Sequence, residues 1–135
     1  MSSISGVKPA RILLVSRRPS ERARFGSILL AAGYAVHTAG HGAGALQQML
    51  AEPAELLLLD VDLPDMPGLQ LCQLVRARFG PRPVIFMSDQ PGGLALRLID
   101  GLPLVRFLPK PVQSEILLAA LDALRGEAAM VHPAD

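Results

Sequence analysis

Leu56-Leu57-Leu58-Leu59 runs without a break into Asp60-Val61-Asp62-Leu63-Pro64-Asp65-Met66-Pro67-Gly68. Four leucines in a row do not alternate with polar residues. They predict a strand buried on both faces, as in a parallel sheet covered by helices on each side. Asp60 to Pro67, with two prolines and three aspartates, predicts a loop. Gly68 to Phe79 follows as a helix carrying Leu71, Cys72, Val75 and Phe79 on one face, and Gly80-Pro81 breaks it.

The same grammar repeats on both sides. Ile12-Leu13-Leu14-Val15 and Val84-Ile85-Phe86-Met87 are continuous apolar runs, and Tyr34 to Thr38 and Leu104 to Leu108 are two further strands. Pro19-Ser20-Glu21 opens a helix with Phe25, Ile28, Leu29 and Ala32 on its buried stripe, and Gly33 closes it. Ala43 to Ala51 and the short segment Leu94 to Ile99 read as helices. The last helix runs from after Pro111 to about Arg125, burying Val112, Ile116, Leu117, Ala120, Leu121 and Leu124. The expected organisation is an N-terminal tail (residues 1–10), one domain (11–125) and a C-terminal tail (126–135). Five βα units predict an α/β fold, a doubly wound five-stranded parallel sheet with helices on both faces.

Composition narrows the class. Half of the 135 residues are hydrophobic and 19% are charged, which excludes a disordered chain. Thirteen basic residues against twelve acidic ones leave a net charge of +1, giving no support to charge-driven nucleic-acid binding. The single cysteine, Cys72, allows neither an internal disulfide nor a Cys-based zinc site, which suits a reducing, cytoplasmic setting. Its place in an apolar pattern reads as a small buried hydrophobe rather than a reactive thiol. No apolar run approaches the roughly 18 residues of a membrane span, and the N-terminus does not read as a signal peptide.

In doubly wound sheets ligands gather at the carboxyl ends of the strands. There the sequence offers Ser16, Arg17 and Arg18 after the first strand, Asp60 after the third, Ser88 and Asp89 after the fourth, and Lys110 after the fifth. A carboxylate, a hydroxyl and a lysine converging on one crevice suit phosphoryl chemistry. The carboxylate acts as nucleophile, and the ammonium and hydroxyl bind the phosphoryl oxygens.

With these residues in place, the chain resembles the response-regulator receiver domain, the CheY-like phosphoacceptor module of two-component signalling. Leu58 to Gly68 looks like the phosphoacceptor loop with Asp60 as acceptor. Ser88 matches the family's Thr/Ser, and Lys110-Pro111 its lysine and a proline bond that is usually cis. Gly42-Ala43-Gly44-Ala45-Leu46 looks like the start of its second helix. The intervals of 28 residues from Asp60 to Ser88 and 22 from Ser88 to Lys110 also fit. The resemblance implies the flavodoxin-like strand order 2-1-3-4-5 and a signalling role rather than an enzyme's. It also implies a histidine kinase or phosphotransfer protein as partner.

The first strand departs from the pattern. Where the family has two adjacent acids that hold Mg2+ with the acceptor and the backbone carbonyl of the residue at Asp62, this chain has Ser16 and Arg17. Magnesium needs hard oxygen ligands, so its binding is expected to be weak or lost, and with it the usual route of phosphorylation. Two readings follow: Asp60 accepts phosphate, or the chain is a pseudo-receiver that binds its partner without phosphate, with the Arg17 guanidinium paired to Asp60. Arg18 is expected to be a solvated charge, and Asp62 and Asp65 to be loop acids bonding nearby backbone N–H groups.

Phe107 stands at the family's switch aromatic, three residues before Lys110. The face made by the Leu94–Ile99 helix, the fifth strand and the last helix is the family's partner or homodimer surface. Leu94, Leu96, Leu98, Ile99, Leu102 and Leu104 fall there, some expected to be exposed, with Arg97 and Arg106 at the rim. Neither nucleic acid nor membrane insertion is expected. One competing reading is a nucleotide-binding enzyme, since Gly40-His41-Gly42-Ala43-Gly44-Ala45 fits G-x-G-x-x-A with Asp60 twenty residues on. It falls after the second strand rather than the first. The neighbouring His37 and His41 are too few for a metal site, and no nucleophile elbow of the hydrolase type is present.

Overall fold

The computed structural model describes residues 9–90 and 101–131. Its elements are β1 (Arg11–Val15), α1 (Pro19–Ala31), β2 (Ala35–Ala39), α2 (Gly42–Ala51), β3 (Leu56–Asp60), α3 (Gly68–Phe79), β4 (Val84–Ser88), β5 (Val105–Pro109) and α4 (Ser114–Val131). The strands form one parallel sheet in the order β2-β1-β3-β4-β5. The expected helix over Leu94 to Ile99 lies outside the described residues, as does Arg97.

Burial follows that order. Every residue of β3 and β4 is buried, and so is all of β1 after Arg11, whereas edge strands β2 and β5 are mostly half-buried. The three runs without alternation are therefore the three central strands. The sheet divides two aliphatic cores. Leu13, Val15, Leu57, Leu59 and Phe86 pack on one face with Ala45 and Met49 of α2 and Leu71, Cys72 and Val75 of α3. Ile12, Leu14, Leu58, Ile85 and Met87 pack on the other with Phe25 and Leu29 of α1 and Leu117, Leu121 and Leu124 of α4. Cys72 is buried, and burial pushes its thiol pKa up. An aromatic disulfide reagent is accordingly expected to leave it unlabelled near neutral pH until denaturant opens the fold. Fast labelling of the folded protein would refute that.

Three expectations are corrected. The last helix does not stop near Arg125 but continues to Val131, through part of the expected tail. Gly126 costs about 1 kcal/mol in a helix, yet Glu127, Ala128 and Ala129 favour helix, and Glu127 is paired with Arg106 of β5. The rim residue Arg106 is thus engaged within the domain. Leu104 is neither in β5 nor on an exposed patch. It is buried at φ 60, where its carbonyl accepts the Val84 N–H at 2.9 Å and starts the β4–β5 ladder.

Candidate functional site

The sheet order reverses between β1 and β3, so the helices that follow them leave on opposite faces and open a crevice at the strand ends. Backbone bonds fix the groups around it. The Val61 N–H donates to the Met87 carbonyl at 2.9 Å, and the Lys110 N–H to the Ser88 carbonyl at 2.8 Å. Asp60, Ser88 and Lys110 are thereby brought to one cavity of about 240 Å3, which Arg17, Arg18, Asp62, Met87, Asp89 and Gln90 also line.

Asp60 is buried, with a cation beside one carboxylate oxygen and a hydrogen bond to the other. Oδ1 lies 2.9 Å from the Lys110 ammonium, and Oδ2 accepts the Arg17 backbone N–H at 3.1 Å. The expected Arg17–Asp60 side-chain pair is absent: among the described residues the Arg17 guanidinium forms no ion pair, and the residue is exposed. The reason is geometric. Arg17 stands two residues beyond the end of β1, and its backbone N–H, not its guanidinium, is what meets Asp60. Arg18 is not simply solvated, because its guanidinium lies 3.2 Å from Asp89 and 3.9 Å from Glu21.

The residue that sequence reasoning missed is Glu21. Its Oε1 accepts Lys110 Nζ at 2.7 Å and the buried Ser16 hydroxyl at 2.8 Å. Lys110 therefore bridges two carboxylates. Burial alone would lower the Lys110 pKa, but the bonds to Asp60 and Glu21 outweigh it and raise it above the ordinary lysine value. Burial would raise that of Glu21, but the bonds from Lys110 and Ser16 outweigh it and hold the carboxyl below its usual range. A signal was available: Glu21 stands four residues before Phe25, on the inward stripe of α1.

Ser88 lines the cavity with its hydroxyl turned into a local loop, accepting the Gln90 N–H at 3.0 Å and donating to the Gln90 carbonyl at 3.3 Å. Phe107 is half-buried, lies beside Phe86 in register and packs on the α2–α3 side of the sheet. Lys110-Pro111 is cis. Asp62 is exposed, and its backbone pairs with that of Pro67 across the loop.

Asp65 reaches further than an ordinary loop acid. It accepts the Gly42 and Ala43 N–H groups at 2.8 and 3.0 Å, and these bonds hold its pKa below the usual range. His41 caps the same helix, accepting the Gly44 N–H on Nδ1 at 2.9 Å. The amides that a dinucleotide's pyrophosphate would need at the start of α2 are thus taken by this chain's own side chains. A Cβ at Gly42 would lie 2.5 Å from Met66 Sδ, so that glycine serves packing against the loop that follows Asp60.

Magnesium suits one or two carboxylates with further oxygens around an octahedron. Here the Asp60 carboxylate faces Lys110, the Ser16 hydroxyl is spent on Glu21, and Glu21 Oε1 holds both. Among the described residues no three His, Cys, Asp or Glu side chains are grouped to hold an ion. The donor set does not fit a tightly held divalent cation.

A five-stranded doubly wound sheet presenting Asp60, Ser88 and Lys110 at its switch point defines a receiver domain. The profile of the response regulator receiver domain matches residues 12–122, and the chain belongs to that family of signalling domains. It is 34% identical over 121 residues to the transcriptional regulatory protein GltR of Pseudomonas aeruginosa, covering 84% of this chain and 48% of that protein. It is 39% identical over 70 residues to the TorCAD operon regulator TorR of Escherichia coli O157:H7, covering 52% and 30%. The chain spans about half or less of the length of these curated relatives. Among solved structures, the chemotaxis response regulator CheY4 of Vibrio cholerae superposes with a TM-score of 0.78 at 25% identity, covering 87% of this chain and 99% of that one. The receiver domain of an HD domain-containing protein of Pseudomonas fluorescens shares the fold, with a TM-score of 0.82 at 24% identity, covering 90% and 99%. No helix among the described residues is long and apolar enough to cross a membrane.

Proposed function

We propose that this receiver takes a phosphoryl group on Asp60 from a histidine kinase or phosphotransfer protein in the cytoplasm and passes the signal on by protein–protein contact. The observation that carries this reading is the buried Asp60 carboxylate at the end of β3 with the Lys110 ammonium 2.9 Å away. Lys110 is placed to hold a phosphoryl oxygen, and the Ser88 hydroxyl lines the same cavity as a second donor. On this reading Ser88 turns from Gln90 toward the phosphoryl group, and Phe107, two residues before Ser88's register partner Pro109 on β5, is the aromatic whose packing follows.

The downstream partner is a protein met at the β5–α4 side, or a second copy of the chain. A net charge of +1 gives no reason to assign these residues a nucleic-acid contact. The phosphate-independent alternative rested on the lost metal ligands and on an Arg17–Asp60 pair; the side-chain pair is absent, while the poor fit to a divalent cation remains in its favour.

The test is incubation with acetyl phosphate and magnesium, read by intact mass. Wild type is expected to gain one phosphoryl mass and Asp60→Asn none. Wild type that gains nothing, or Asp60→Asn that gains as much, would overturn the assignment.

A further inference from the structure

The acceptor sits among cations, and among the described residues no three acidic, His or Cys side chains are grouped to hold a metal. Of the three basic side chains lining the cavity, two are engaged: Lys110 is shared between Asp60 and Glu21, and Arg18 is held by Asp89. The third, Arg17, has no ion-pair partner among the described residues, and its own backbone N–H already holds Asp60 Oδ2. A protein-bound phosphoryl group carries a charge of about −1.5 to −2, more than the carboxylate it replaces. Glu21 keeps part of Lys110's charge, so a further cation is needed. A guanidinium binds two phosphoryl oxygens at once and stays charged at any working pH.

We propose that the Arg17 guanidinium, in place of a divalent cation, neutralises the phosphoryl group on Asp60, so that this receiver is phosphorylated without metal. This rests on the reading of Asp60 as phosphoacceptor. In the step, a carboxylate oxygen of Asp60 attacks the phosphorus of acetyl phosphate and the new P–O bond forms. The bond from phosphorus to the bridging oxygen breaks, and acetate leaves with the electron pair, so no proton need move. Arg17 folds inward over the two phosphoryl oxygens that face the cavity mouth, as arginines do in other phosphoryl-transfer sites. Arg18 stays with Asp89, and Lys110 holds the remaining oxygen.

The experiment runs wild type, Arg17→Gln and Asp60→Asn with acetyl phosphate, each in excess EDTA and in excess magnesium, read by intact mass. Circular dichroism checks the fold of each variant. Wild type is expected to label to the same extent in both media. Arg17→Gln is expected to fall about tenfold or more in both, since one charged donor to a developing phosphoryl is worth at least that. Wild-type labelling that rises about tenfold with magnesium over EDTA would assign the neutralising role to the ion and overturn the inference while leaving Asp60 as acceptor. A folded Arg17→Gln that labels like wild type would also overturn it. No wild-type label in either medium removes the acceptor reading itself.

Discussion

Lys110→Met is expected to lower stability by about 3 kcal/mol, the low end for breaking a buried ion pair. It should appear as a lower denaturant midpoint at unchanged slope. The low end applies because the Lys110 side chain is 9% exposed and that of Asp60 4%, while Glu21 keeps 18% in contact with water. Methionine fills the space of the lysine stem but supplies no donor. Asp60 Oδ1 and Glu21 Oε1, both acceptors, would then face one another with no cation between them.

The pH dependence gives a sharper readout than the midpoint. In wild type the Glu21 carboxyl is depressed by Lys110 and Ser16 in spite of burial. A depressed carboxylate contributes stability above its unfolded pKa and loses it as pH falls through its folded value. The raised Lys110 contributes below its unfolded pKa and loses its share as pH rises through its folded value, which lies on the alkaline side. Without Lys110, Glu21 keeps the lowering contacts of Ser16 and Arg18 but loses those of Lys110, while burial and a neighbouring carboxylate push its pKa up from its wild-type position. Lys110→Met should therefore lose less stability than wild type as pH falls through the acidic range, because its Glu21 is less depressed. Parallel pH profiles for the two proteins would refute the bridge.

The contrast between Lys110 and Arg17 shows how far the sequence could be read. The alternation of apolar runs with helices placed β1, β3 and β4 to within a residue, because a strand buried on both faces leaves an unbroken run. Asp60, Ser88 and Lys110 were legible from their positions just after strands. What sequence could not supply was direction. Arg17 and Asp60 sit side by side at two strand ends, yet it is the Arg17 amide that meets the carboxylate. Glu21 looked like an ordinary acid in the first turn of a helix. Only the three-dimensional approach of α1 to the β5 end brings it to Lys110, 89 positions away. Leu104 was misplaced because a backbone at positive φ breaks the strand pattern without any glycine to announce it.

Gly68→Ala is expected to cost about 3 kcal/mol, the upper range for overpacking a tight site, although alanine is the better helix former. The reason lies in the return of the loop from Asp60 to Pro67. Gly68 donates its N–H to the Val61 carbonyl at 2.7 Å as α3 begins, which brings the two backbones together. A Cβ there would lie 2.2 Å from the Asp60 carbonyl oxygen and 3.3 Å from Val61 Cα. Both neighbours are main chain, one at the last residue of β3 and one just beyond it, so no side-chain rotation can relieve the contact. Either α3 moves outward or the Asp60 peptide shifts, and the second would carry the Asp60 carboxylate away from Lys110. The same change at Gly26, inside α1 with nothing within 4 Å of its Cβ position, is expected to raise stability by about 1 kcal/mol. One substitution type with opposite signs at two helical glycines separates close backbone approach from helix propensity, which favours alanine at both. Denaturant midpoints of the two variants make the comparison. A Gly68→Ala midpoint at or above wild type would mean that the loop returns to α3 with room to spare, and that Asp60 is not held from behind by this contact.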